Sequence, residues 1–169
     1  MAALSSDGLL RAAEMQLLTG PGRPLDAAVR RAISTAYYGL FAAVCEEAAR
    51  PYRSEAGVAA RRLLGHGAAR DVCARLVSQK RVDWLEGRPA CNADLVRFAA
   101  SFVGLQGARR NAHYDDAYLA RKDFAREAIA DARSGVERLN RARLAAPEQV
   151  QVMCVAMLAG PAERRRMMR

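Results

Sequence analysis

Residues 29–48 read VRRAISTAYYGLFAAVCEEA, and the spacing within this stretch decides the fold class. Val29, Ile33, Ala36, Leu40, Val44 and Ala48 recur at steps of three and four, and Tyr37 and Phe41 widen the row. Side chains so spaced share one face of a helix, so the segment is amphipathic and α-helical. Ser34 and Thr35 stand against the stripe, Arg30-Arg31 opens the segment, and the adjacent Tyr37 and Tyr38 aim two phenols in different directions.

Working outward, Ser5-Ser6-Asp7 offers N-cap chemistry for a first helix to about Leu18, with Leu9, Leu10, Ala13 and Leu17 inward. The run TGPGRP at 19–24 is a breaker. The central helix extends from Leu25 to about Ala49 and stops before Arg50-Pro51, because proline denies its predecessor helical geometry. Ser54 caps a third helix over 55–65 with Val58 and Ala59 on its inner face. Gly65-His66-Gly67 ends that helix, a glycine suiting a left-handed terminus. A short helix over 68–77 and a polar connection over 79–92, with the only Trp (Trp84), lead to a helix at 93–112 capped by Asn92 or Asp94. A loop at 113–119 precedes the last long helix, 121–144. Pro147 marks the end of the core, and one short apolar helix over 149–158 precedes a basic, weakly held tail. No repeat and no strand-period segment appears. The expected fold is all-α, an antiparallel bundle of four to six helices over 1–146 followed by a short helix and tail over 147–169.

Composition agrees. At 169 residues the chain is long enough to close one core, and its 51% hydrophobic content is rich in Ala, a strong helix former. No apolar run reaches the roughly eighteen residues of a membrane span, and the N-terminus lacks the features of a signal peptide, so a cytoplasmic location is expected. The four cysteines form no C-x-x-C, and the two histidines add no zinc spacing. Neither metal nor cofactor is expected, and the thiols read as small buried hydrophobes. The net charge of +9 is almost all arginine. Residues 1–50 carry five Arg against five Asp and Glu, so the surplus lies later, and it favours an anionic partner such as RNA, a nucleotide or an acidic protein.

One helix carries candidate chemistry. Leu95, Phe98, Phe102 and Leu105 form an inward row, and continuing it places Arg109 and His113 on the core face with Gln106 beside them. A guanidinium and an imidazole are costly to bury unless paired. Arg110, one position round, faces solvent or a partner subunit. Arg62 and His66 repeat the spacing, so each histidine lies four residues after an Arg. Two readings stand for each group. Arg109 is an anion clamp, or a structural Arg bonded to Tyr37 or Asp115. His113 is a proton carrier, or a cation favoured at a helix C-terminus. His66 is a base, or a helix cap. Asp115-Asp116 reads as loop and cap chemistry, and Trp84 as a lid or a partner contact.

The segment Ala36–Phe41, AYYGLF after a basic pair, resembles the signature helix of the HEPN superfamily (higher eukaryotes and prokaryotes nucleotide-binding). FVGLQGARRNAHYDD at 102–116 is similar to the later helix of that family, with His113 where an R-x-x-A-D-Y-D pattern has Asp. The resemblance runs from about Leu9 to Leu139. It implies a HEPN-like bundle that forms a homodimer and acts on RNA or a nucleotide in a toxin–antitoxin or defence setting, beside a nucleotidyltransferase or antitoxin partner. Ribonucleases of the family use an Arg and a His with four to six residues between them, the His moving a proton at the 2′-hydroxyl and the Arg steadying charge on phosphate. By that resemblance Arg109 and His113 are the catalytic pair of a metal-independent endoribonuclease, and Arg110, Tyr37, Arg62, His66 and Asp115 bind substrate or nucleotide. Three residues lie between Arg109 and His113, shorter than the active spacing. The module that associates with a nucleotide or RNA is therefore the first reading, and the metal-independent endoribonuclease and a non-catalytic structural interaction protein are its alternatives.

Overall fold

The computed structural model describes residues 5–18, 26–52, 55–79, 90–115 and 118–163. The helices are α1 (Ser6–Leu17), α2 (Asp26–Ala49), α3 (Glu55–Leu63), α4 (His66–Gln79), α5 (Ala93–Tyr114), α6 (Lys122–Ala145) and α7 (Pro147–Leu158), and no strand occurs among the described residues. The all-α expectation therefore holds. Ser54, Trp84 and residues 164–169 lie outside the described residues.

Local chemistry sets the helix ends. Ser5 caps α1, its Oγ accepting from the Gly8 amide at 3.1 Å. Asn92, rather than Asp94, caps α5, its Oδ1 accepting from the amides of Asp94 and Leu95 at 2.9 and 3.2 Å. Pro147 opens α7, where its missing N–H costs nothing. The core does not end at that proline, because Val150, Met153, Cys154, Ala156 and Met157 of α7 are all buried.

The α3–α4 connection corrects the sequence reading. Burial on α3 follows Gly57 and Ala60, while Val58 is 49% exposed, so the inner face lies opposite to the one expected. Neither Gly65 nor Gly67 adopts a left-handed conformation. Only Leu64 and Gly65 separate the two helices, and His66 begins α4 instead of capping α3.

The chain forms two compact units, one of residues 1–43 and 101–136, the other of residues 44–100 and 137–169. In the first, α2 and α5 pack antiparallel: Arg30 meets Ala112 and Asp115, Tyr38 meets Arg109, and Tyr37 meets Phe102. Helix α1 docks on α2 at Gly39, whose carbonyl accepts from Ser6 Oγ at 2.8 Å. A Cβ there would stand 2.7 Å from Leu10 Cδ2, so the close approach requires glycine. Helix α6 joins through Ser101 to Asp131 at 2.6 Å and Arg133 to Glu14 at 2.8 Å.

In the second unit α4 packs against α7. Asp94 accepts two N–H bonds from Arg141, both at 3.1 Å, and the Asn92 amide donates to Gln149 Oε1 at 2.7 Å. Cys73, Cys91 and Cys154 are buried and Cys45 half-buried, all as free thiols. Burial pushes their pKa values up, Cys45 and Cys91 to about 11 and Cys154 to about 12. No helix among the described residues is long and apolar enough to cross a membrane.

Candidate anion site at the end of α5

Burial runs down α5 through Leu95, Phe98, Phe102, Leu105 and Ala112, each no more than 3% exposed. The final step is decisive. From Arg109 the buried row advances by three to Ala112, not by four to His113, so His113 is exposed in the last helical turn and the expected core placement is wrong. Arg109 itself is half-buried.

Two aromatic rings hold Arg109. Its guanidinium carbon lies 5.2 Å from the centre of the Tyr38 ring and 5.7 Å from that of Tyr37, close enough for cation–π attraction to both. Its Nη2 donates to the Tyr38 hydroxyl at 2.9 Å. The hydrogen-bond partner is thus Tyr38, where the sequence suggested Tyr37 or Asp115. The cause is packing. Tyr37 is fully buried, edge-on to Phe102 at 5.5 Å and stacked on Phe41 at 6.3 Å, which leaves the phenol one position round to meet the guanidinium. Arg109 Nε is buried with no hydrogen-bond partner among the described residues, and no carboxylate there forms an ion pair with this side chain.

A second arginine fixes the turn beyond. Arg30 Nη1 donates to the carbonyls of Ala112 at 3.1 Å and Asp115 at 2.9 Å, and Nη2 donates to the Tyr118 carbonyl. Its guanidinium also lies 5.7 Å from the Tyr118 ring centre. The Ala112 carbonyl is among the last four of α5, which have no partner within the helix. Arg30 therefore ties down the turn that carries His113, Tyr114 and Asp115. Sequence reasoning noted the basic pair at 30–31 but missed this role; a pair of cations opening a mostly apolar helix was the available signal.

The remaining side chains of this turn face outward. Arg110, His113, Tyr114 and Asp115 are exposed, and the rings of His113 and Tyr114 lie 6.0 Å apart. Tyr37, Tyr38, Arg109, Arg110, His113 and Asp115 thus belong to one unit. Arg62 and His66 belong to the other, on separate helices, so the helical pairing expected of them does not exist. Among the described residues no group of His, Cys, Asp and Glu is placed to hold a metal ion.

A guanidinium fixed on two π faces, with one neutral acceptor, retains its charge and several N–H donors. Carboxylate and phosphate oxygens are the groups that fit such donors. No protein-family model, curated protein or solved structure matches the chain.

Proposed function

We propose that this chain is a HEPN-like module that associates with RNA or a nucleotide through the C-terminal end of α5. On this reading it acts as a homodimer in a toxin–antitoxin or defence system, beside a nucleotidyltransferase or antitoxin partner. The observation that carries the reading is Arg109, a half-buried cation lacking a carboxylate among the described residues. Charges withdrawn from water are normally paired, so an anion from outside the chain fits this position. Arg110 adds a second cation, itself exposed, and the exposed Tyr114 offers a face on which a base can stack.

Fluorescence anisotropy with a labelled single-stranded RNA tests the reading. Affinity falls steeply with salt, because arginines on phosphates release counterions. Arg109→Ala and Arg110→Ala weaken it. Equal binding by both variants and the parent chain would reject the site.

A second reading has its own observation. His113 is exposed one helical turn beyond Arg109, where an imidazole is accessible to a bound ribose. On this reading the module is a metal-independent endoribonuclease, with His113 moving the proton and Arg109 stabilising the phosphate.

A further inference from the structure

A pocket of about 310 Å³ lies in the second unit, between the last turn of α2, the residues that follow it, and α7. Small-molecule sites begin at about this size, roughly 300 Å³. Val150, Val155 and Leu158 supply its apolar wall. One end is charged. Glu47, whose side chain is 10% exposed, receives two guanidiniums on the same carboxylate oxygen, Arg50 at 2.8 Å and Arg143 at 3.6 Å.

The two arginines are not equivalent. Arg50 is within hydrogen-bond distance and open to solvent, while the Nε of Arg143 is buried, too far from Glu47 to bond, and without a hydrogen-bond partner among the described residues. A buried donor left in that state is costly. Two guanidiniums around one carboxylate also leave one positive charge unbalanced. The polar end therefore complements a single negative charge, and the apolar wall complements a hydrocarbon tail.

We infer that this pocket binds a monoanionic amphiphile, a medium-chain carboxylate whose head group meets Arg50 and Arg143 and whose tail lies along Val150, Val155 and Leu158. The site is in the other unit from Arg109 and stands independently of the RNA reading.

Calorimetric titration of the full chain with sodium decanoate tests it, with decanol and sodium acetate as controls. Decanoate binds with a Kd on the order of 10 μM, decanol about tenfold more weakly, and acetate shows no heat. Arg50→Gln, at an exposed position, weakens decanoate about fivefold, and Arg143→Met about tenfold. Val155→Trp, on the partly exposed wall, blocks binding while the circular dichroism and melting temperature stay those of the parent chain. Should Arg143→Met not fold, Arg50→Gln and Val155→Trp decide the matter. Decanol matching decanoate, unaltered binding by Val155→Trp, or no decanoate heat at millimolar concentration would each overturn the inference.

Discussion

Arg109 and Tyr38 lie 71 positions apart in the chain and are joined twice, by a 2.9 Å hydrogen bond and by a guanidinium over the ring. The two contacts separate by mutation. Tyr38→Phe removes the acceptor and keeps the ring, and should cost about 1.5–3 kcal/mol in urea denaturation, the range for a hydrogen bond to a charged group. Arg109→Ala loses both contacts and should cost more. A Tyr38→Phe chain as stable as the parent would mean that the two rings hold Arg109 without the hydroxyl.

Arg30 spreads its donors over three carbonyls at the end of α5. Arg30→Met should cost roughly 1.5–3 kcal/mol, the range for hydrogen bonds from a charged group. The loss should be local, with faster amide exchange over residues 112–115 than earlier in the helix. Arg30→Lys should rescue little, because an ammonium lacks the planar fork. Unchanged exchange in the Met variant would leave the turn held by its own backbone.

Gly39 and Gly104 should respond oppositely to alanine. A methyl at Gly39 meets Leu10 at 2.7 and 2.8 Å, and Leu10 is itself buried at 2% exposure. Overpacking of this kind costs about 1–3 kcal/mol. At Gly104 nothing lies within 4 Å, so alanine should stabilise α5 by up to about 1 kcal/mol through helix propensity. Thermal melts of the two variants should shift in opposite directions; the same direction for both would contradict the close approach of α1 to α2.

Stability should collapse in alkali. Burial raises Cys45 and Cys91 from 9.0 to about 11 and Cys154 to about 12. A group whose folded pKa is raised favours the folded state below its unfolded value and loses that contribution as pH climbs through the folded one. The thiols thus contribute fully below pH 9 and lose their contribution between there and about pH 11–12. Circular dichroism against pH should show unfolding that begins in this window, and Cys154→Ala should soften it. A chain indifferent to pH up to 12 would mean that the thiols stay neutral or ionise without cost.

The catalytic reading separates from the binding one at His113. If the chain cleaves RNA, His113→Ala should abolish cleavage and spare binding, and chelator should leave cleavage intact. Cleavage retained by the variant would remove His113 from the chemistry, and none by the parent chain would leave the binding module alone.

The stripe of 29–48 was legible because a helix buried along its length repeats one period without interruption: Val29, Ile33, Ala36, Tyr37, Leu40, Val44 and Ala48 are all buried. Helix ends were less so. At the end of α5 a step of three and a step of four are both helical, and only the neighbouring helix decides that Ala112 is covered and His113 is not. Arg62 and His66 failed for a different reason, since their spacing means a shared face only when one helix contains both. The identity of Arg109's acceptor depended on which of two adjacent phenols the core would absorb, a question of packing that one chain's sequence does not pose.

Helices α2, α5 and α6 each contribute residues to both compact units, so neither unit is one continuous length of chain. This bears on the order of synthesis. The first unit draws on residues 101–136, which leave the ribosome only after the whole of 44–100, and the second draws on residues 137–169, which leave later still. Domains that are contiguous in sequence can fold one after another as they emerge. Here the early half of the chain must wait, with the part of α2 that meets α5 uncovered, until α5 and α6 have been made. Neither half can finish alone.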